Sequence, residues 1–305
     1  MKILIATEKP FAPVAVEGIK QVLVQAGHEP VLLERGSHED LVAAVHDVAG
    51  LIVRSDKVGK DVFDAAPQLK VVVRAGAGYD NIDLAEATAH GVCVMNTPGQ
   101  NANAVAELVM GMLVTLVRNR YDGTSGTELS GKTLGIHAYG AVGRNVARIA
   151  RGFGMVVSAL DPFVSDDVME ADGIKPVHSV EELYSANQIV SLHIPANEQT
   201  RRSVGKTLLM SLPSGAILVN AARKEVIDEQ GLAEAMAERA DLRYIADVKP
   251  DNADELADLY PTRVLFTPKK MGAQTAEANI NAGLAAAKQV VDHLATGWNR
   301  FQVNK

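Results

Sequence analysis

The chain has 305 residues, 47% hydrophobic and 22% charged, with a formal net charge of −7. This is a globular composition, not a disordered one, and its acidic balance argues against a nucleic-acid surface, which needs a concentrated basic patch. Cys93 is the only cysteine, so no intrachain disulfide is possible. The first apolar residues run into Glu8-Lys9-Pro10 too soon for a secretory segment. The longest apolar stretch, 108–117, is ten residues and too short to cross a bilayer. A cytoplasmic protein without a membrane partner is expected.

Short runs rich in Val, Ile and Leu predict strands at 2–6, 30–33, 50–54, 70–74 and 92–96, with helices at 14–26, 41–48 and 84–90 between them. Near-continuous apolar runs are strands buried on both faces, as in a parallel sheet with crossover helices. An apolar helix follows over 101–119. Its positions Val105, Leu108, Val109, Met112, Leu113 and Leu116 cover more than one face, so it is buried on several sides or lies in a subunit contact. The polar, Gly-rich stretch 120–131 reads as a connection between domains. A second series predicts strands at 133–137, 156–160, 188–192, 216–219, 244–246 and 264–266, and a final helix from 275 to about 294. Two doubly wound parallel-sheet α/β domains account for the chain, and ligands of such folds sit at the carboxyl ends of the strands.

The strand at 133–137 leads into Ala138-Tyr139-Gly140-Ala141-Val142-Gly143 and then a helix. This is the Rossmann fingerprint with its first glycine replaced by Ala138, a substitution that loosens the turn if the position needs positive φ. Gly140 lets the backbone approach a pyrophosphate, Gly143 allows close helix–strand packing, and the helix N-terminus offers free N–H groups to phosphate. The confirming acid is Asp161, 18 residues beyond Gly143 at the end of the next strand. Its carboxylate suits ribose hydroxyls and repels a 2′-phosphate, and no arginine follows in Pro162-Phe163, so NAD is expected rather than NADP.

These residues resemble the D-2-hydroxyacid dehydrogenase family. So do Gly131-Lys-Thr-Leu-Gly135, Val53-Arg-Ser55, Arg74-Ala-Gly-Ala-Gly78 with Asp80-Asn-Ile-Asp83, Asn96-Thr-Pro98 with Ala106-Glu107, and Val219-Asn-Ala-Ala-Arg223. The blocks occur in family order across nearly the whole chain, and Arg54-Ser55 with Arg74-Ala-Gly76 is most similar to the branch that oxidises D-3-phosphoglycerate, the first step of serine biosynthesis. The resemblance implies two Rossmann-like domains with an active site in the cleft between them. A substrate domain would combine 1–98 with 276–305, and an NAD domain would span 99–275. It also implies a homodimer through the cofactor domain and the long helix. A chain of 305 residues leaves no room for the C-terminal regulatory domains of longer members, so feedback through such a domain is not expected, and the short 120–131 connection would remove a substrate contact from a partner subunit.

The reaction needs a cation for the substrate carboxylate, a base for the C2 hydroxyl proton, and a cofactor near the C2 hydrogen. Arg223 matches the family's catalytic arginine, whose planar fork pairs bidentately with carboxylate. The family's base is a histidine after Thr-Pro, oriented by a glutamate. Here Thr267-Pro268 is followed by Lys269-Lys270-Met271-Gly272, and the glutamate position, 29 residues after Arg223, holds Asn252. Asp251 and Asp254 are the acids near it. Losing both members together is what replacement by lysine predicts, since an amine has no tautomer to fix, and the segment resembles a short, lysine-type group within the same branch. Lys269 is the first choice as base and Lys270 the alternate. Either needs a pKa brought from about 10.4 towards 7–8.

Under the same resemblance Arg54, Arg74, Ser55, Gly76 and Asn101 would meet the substrate phosphate. Asp247 would accept from the nicotinamide amide, with Ile194, Ala221 and Gly272 lining that pocket. No metal site is expected. His137, Tyr139 and His193 read as packing residues at strand ends. The competing readings are a glyoxylate or hydroxypyruvate reductase, or another D-2-hydroxyacid dehydrogenase, and, of a different class, a non-catalytic NAD-binding scaffold such as the family's corepressor branch.

Overall fold

Aliphatic runs that alternate with amphipathic segments have to be covered on both faces, and in this chain the covering comes from distant parts of the sequence. The computed structural model describes residues 1–8 and 10–304. In it, β1 (Lys2–Thr7), β2 (Glu29–Glu34), β3 (Gly50–Val53), β4 (Val71–Arg74) and β5 (Cys93–Asn96) form one sheet in the order β2-β1-β3-β4-β5. All of its ladders are parallel. Ile3, Ile5, Ile52, Val71 and Val73 pack with Ile19, Leu23, Ala286 and Val290 of helices Pro13–Gln25 and Ala276–Thr296. Their neighbours Leu4, Leu51, Val53 and Val72 point the other way, onto Leu41, Val62 and Ala87. The period-two alternation of a strand thus feeds two apolar cores, and the final helix is part of this unit, which comprises Met1–Asn101 and Gln274–Lys305.

The second unit, Ala102–Ala273, holds β6 (Thr133–His137), β7 (Val156–Leu160), β8 (Lys175–Pro176), β9 (Ile189–Leu192), β10 (Ile217–Asn220), β11 (Arg243–Ala246) and β12 (Val264–Phe266). Their order is β12-β11-β10-β9-β6-β7-β8, again all parallel. The strand order reverses between β6 and β9, the switch point at which doubly wound sheets open a crevice at their carboxyl edge. The predicted apolar helix is Ala102–Val117. It buries Val109, Leu113 and Leu116 in the core shared with Ile136, Val157 and Val219.

Two features differ from expectation. The stretch 120–131 is no connection between domains. It lies inside the second unit, where the Thr127 N–H donates to the Val117 carbonyl at 2.8 Å and the Arg120 guanidinium donates to the Val264 carbonyl. It is entered through three successive left-handed residues, Asn119, Arg120 and Tyr121 (φ 50°, 54° and 60°), which turn the chain out of the helix. The edge strand β8 was not anticipated, because two residues, one of them proline, carry no apolar run. Among the described residues no helix is long and apolar enough to cross a membrane.

The edge strand β5 is capped by the last described residues. The buried Asn304 accepts from the Val94 N–H at 2.8 Å and donates to the Val92 carbonyl at 2.8 Å and the Thr88 hydroxyl at 3.1 Å. Asn304→Ala removes this partner from the Val94 N–H and the Val92 carbonyl of two buried residues, so a loss of about 1–3 kcal/mol is expected, read as a lower denaturation midpoint. An unchanged midpoint would show that Asn304 does not hold this edge.

Candidate active site

The loop after β6 has the geometry of a dinucleotide turn. Ala138 sits at φ +82°, the left-handed conformation expected of a first fingerprint glycine. Gly140 precedes helix Ala141–Gly152, which has no side-chain cap at its N-terminus, and a Cβ on Gly140 would meet nothing within 4 Å. The N–H groups of Ala141, Val142 and Gly143 are therefore left to an anion that can come close. Gly143 is required by contact instead: a Cβ there would lie 2.3 Å from the Ala138 carbonyl oxygen.

Asp161, just past β7, ties this loop to the neighbouring strand. Its carboxylate accepts from the Tyr139 N–H at 2.8 Å and from the Phe163 N–H at 2.9 Å. A carboxylate has about four acceptor positions, so lone pairs remain for ribose hydroxyls. An uncapped helix N-terminus, an open glycine face and an anchored acid together fit the pyrophosphate and adenosine ribose of NAD.

Along the same edge of the sheet follow Ile194 after β9, Ala221 and Arg223 after β10, Asp247 after β11, and the 267–272 segment after β12. The Arg223 turn is set by Asn220, fully buried, whose side chain donates to the Arg223 carbonyl at 2.9 Å and accepts from the Ala222 N–H at 3.0 Å. Among the described residues no carboxylate pairs with the Arg223 guanidinium; it donates only to the Ala222 carbonyl at 2.9 Å. It is thus available for an external carboxylate.

Asp247 is almost wholly buried; its carboxylate accepts from the Met271 N–H at 2.7 Å and the Gly272 N–H at 2.9 Å, and the Thr267 hydroxyl is shared between the Asp247 carbonyl at 2.7 Å and that carboxylate at 3.0 Å. The carboxylate anticipated as a nicotinamide acceptor therefore also clamps the segment that bears the lysines. Gly272 allows this, since a Cβ there would lie 2.9 Å from the Asp247 oxygen. Lys269 and Lys270 are both exposed at the crest of the clamped segment. The acids beside the missing glutamate are engaged elsewhere: Asp251 with Lys224 at 2.6 Å and Asp254 with Lys249 at 2.7 Å.

The first unit gathers its own group at the carboxyl edge of its sheet. Arg54 follows β3 and Arg74 ends β4, adjacent strands, and the Arg74 Nε donates to the Arg54 carbonyl at 2.9 Å. Arg54 is oriented by three contacts: it donates to the Pro10 carbonyl at 3.1 Å and the Asn279 side chain at 2.6 Å, and lies over the Phe11 ring. Burial pulls its pKa below the usual value, with Asp56 opposing, the environment in which a cation gains most from an incoming anion. The Ser55 hydroxyl is buried without a partner. The Arg74 guanidinium folds over Gly76, occupying the space of an absent Cβ. Asn101 directly precedes helix Ala102–Val117.

His137 and His193 are structural, as expected. Burial pushes them down to about 4 and about 3, so both are neutral near pH 7. His137 meets Tyr184 edge-on and the His193 Nε2 is 2.9 Å from the Ser191 hydroxyl. Sequence reasoning missed Asn220 and Asn279, lone polar residues whose partners only the fold reveals. Ala138→Gly should raise the thermal midpoint, because glycine takes φ +82° without the roughly 1–2 kcal/mol that an L side chain incurs there. Gly143→Ala should lower it. A lower midpoint for Ala138→Gly would show the turn to be unstrained.

Residues 104–269 match the family model for the D-isomer specific 2-hydroxyacid dehydrogenase NAD binding domain. A D-3-phosphoglycerate dehydrogenase of Methanocaldococcus jannaschii is 36% identical over 269 residues, 83% of this chain and 51% of that protein. A hydroxypyruvate reductase of Thermotoga maritima is 32% identical, over 90% of this chain and 94% of its own length. The chain spans about half the length of the Methanocaldococcus jannaschii enzyme and of the D-3-phosphoglycerate dehydrogenase of Rattus norvegicus, which it also matches. Among solved structures, NAD+-bound 3-phosphoglycerate dehydrogenase of Entamoeba histolytica superposes with a TM-score of 0.87 at 45% identity, covering 100% of this chain and 99% of that one. The chain therefore belongs to the D-isomer specific 2-hydroxyacid dehydrogenases and carries that family's NAD-binding domain.

Proposed function

We propose that this protein oxidises D-3-phosphoglycerate at C2 to 3-phosphohydroxypyruvate with NAD as the oxidant. The observation that carries the reading is the pair Arg54 and Arg74 on adjacent strand ends, beside the unpartnered Ser55 hydroxyl. A 2-hydroxy acid lacking phosphate has no use for two further guanidiniums, whereas a phosphate dianion is suited to charge-assisted bonds from both. The likeness to the Entamoeba histolytica enzyme over the full length of both chains supports it.

Each residue then has a part. The unit of 1–101 and 274–305 acts as substrate domain, with Arg54, Arg74, Ser55, the Gly76 backbone and Asn101 holding phosphate. Arg223 holds the carboxylate and fixes the orientation of C2. Lys269, with Lys270 as alternate, takes the hydroxyl proton as the C–O bond becomes a carbonyl. NAD supplies the acceptor for the C2 hydride. The Ala141, Val142 and Gly143 backbone, Asp161, Ile194, Ala221, Asp247 and Gly272 position it. A homodimer in the cytoplasm belongs to the same proposal.

The hydroxypyruvate reductase of Thermotoga maritima gives the second reading, because it matches this chain over almost its own full length. Arg54→Ala and Arg74→Ala separate the two. If the phosphate reading holds, kcat/KM for D-3-phosphoglycerate falls about 100-fold or more, while that for hydroxypyruvate reduction changes only a few fold. Equal losses on both substrates would favour the reductase.

A further inference from the structure

The helix that opens at Gly140 carries a second set of charges, which the cofactor loop does not use. Arg144, Arg148 and Arg151 lie on one face of Ala141–Gly152 and, with Tyr139, Asn145 and Asp172, line a pocket of about 730 Å³. Three guanidiniums against one carboxylate make this a positive patch on a chain whose net charge is −7.

The pocket is organised by bonds that pair one of its three cations, Arg144, with a carboxylate and the other two with neutral groups. Arg144 lies over the Tyr139 ring and 3.5 Å from the Asp172 carboxylate, which also accepts the Tyr139 hydroxyl at 2.9 Å. Arg148 donates to two neutral amide oxygens, Asn103 at 2.7 Å and Asn145 at 3.4 Å. Arg151 donates to the Asp172 carbonyl and rests on Gly173, where a Cβ would come within 2.9 Å of its guanidinium. Among the described residues no carboxylate pairs with Arg148 or Arg151. A guanidinium has five N–H donors, so each keeps several for a ligand.

Spacing sets the ligand class. The outer arginines are seven residues apart, about 10 Å along the axis. A single phosphate is shorter than that separation, whereas a linear chain of two or three phosphates comes closer to it. Tyr139 is buried beneath Arg144 and presents no free ring to a base, so the recognised element is the phosphate chain.

We propose that this pocket binds a compact polyanion, a linear chain of two or three phosphate groups, at a site distinct from that of the dinucleotide. The two sites share Tyr139, whose N–H holds Asp161 and whose ring lies under Arg144.

Isothermal titration of inorganic tripolyphosphate into the full chain, with NAD saturating to block the cofactor site, tests this. One saturable site is expected, weakened by salt and at least about tenfold weaker for the double variant Arg148→Ala, Arg151→Ala, with NAD affinity unchanged. Orthophosphate should bind at least about tenfold more weakly than tripolyphosphate. A nucleoside triphosphate binding more tightly than tripolyphosphate would make nucleotides the source, and equal binding free polyphosphate. If the alanine pair melts early, Arg148→Gln with Arg151→Gln removes the charge while keeping a polar, unbranched stem. No saturable binding to the wild type, or undiminished binding to the charge-neutral variant, would overturn the proposal.

Discussion

Every strand-to-strand ladder in both sheets is parallel, and most of the site's architecture follows from that constraint. Parallel strands need crossover helices, which bury both faces of the sheet and require aliphatic strands. They also deliver every carboxyl end to one edge. In the second unit that edge carries the fingerprint turn, Asp161, Arg223, Asp247 and the lysine segment, in the strand order β12-β11-β10-β9-β6-β7. In the first it carries Arg54 and Arg74. Arg54 and Arg74 in one sheet, and Arg223 and Asp247 in the other, come to lie at adjacent strand ends because burial dictates the sheet and the sheet dictates the edge.

Within that frame, short buried polar anchors decide where the chemistry points. Asn220 closes the turn that presents Arg223, and Asp247 binds both ends of the segment bearing Lys269 and Lys270. A buried carboxylate is costly unless it is hydrogen-bonded, and the 267–272 segment supplies three donors. The same bonds that stabilise Asp247 also fix the path of the lysine loop. The loop that bears the lysines is thus oriented from beneath, by Asp247.

Much of this was legible in the sequence. Runs such as Val71-Val-Val73 can hardly be anything but buried strands, and glycines followed at the right distance by Asp161 carry their own physical reason. Whether Ala138 needs positive φ was left open by the fingerprint; the structure places it at +82°. What escaped was of two kinds. Elements without a periodic apolar signal were missed, such as β8, and the polar 120–131 stretch was misplaced because composition cannot tell a surface excursion from a linker. Single polar residues with distant partners, such as Asn279 holding Arg54 across 225 positions, leave no local pattern at all.

The central claim is that an amine on the 267–272 segment serves as the base for oxidation of a phosphorylated 2-hydroxy acid. It is tested most directly by following NAD reduction with D-3-phosphoglycerate across alkaline pH for the wild type, Lys269→Ala and Lys270→Ala, with NAD affinity measured alongside. The account predicts an active wild type and a loss of kcat of about 100-fold or more in one of the two variants, with NAD binding retained in both. An inactive wild type that still binds NAD, or full activity in both variants, would contradict it.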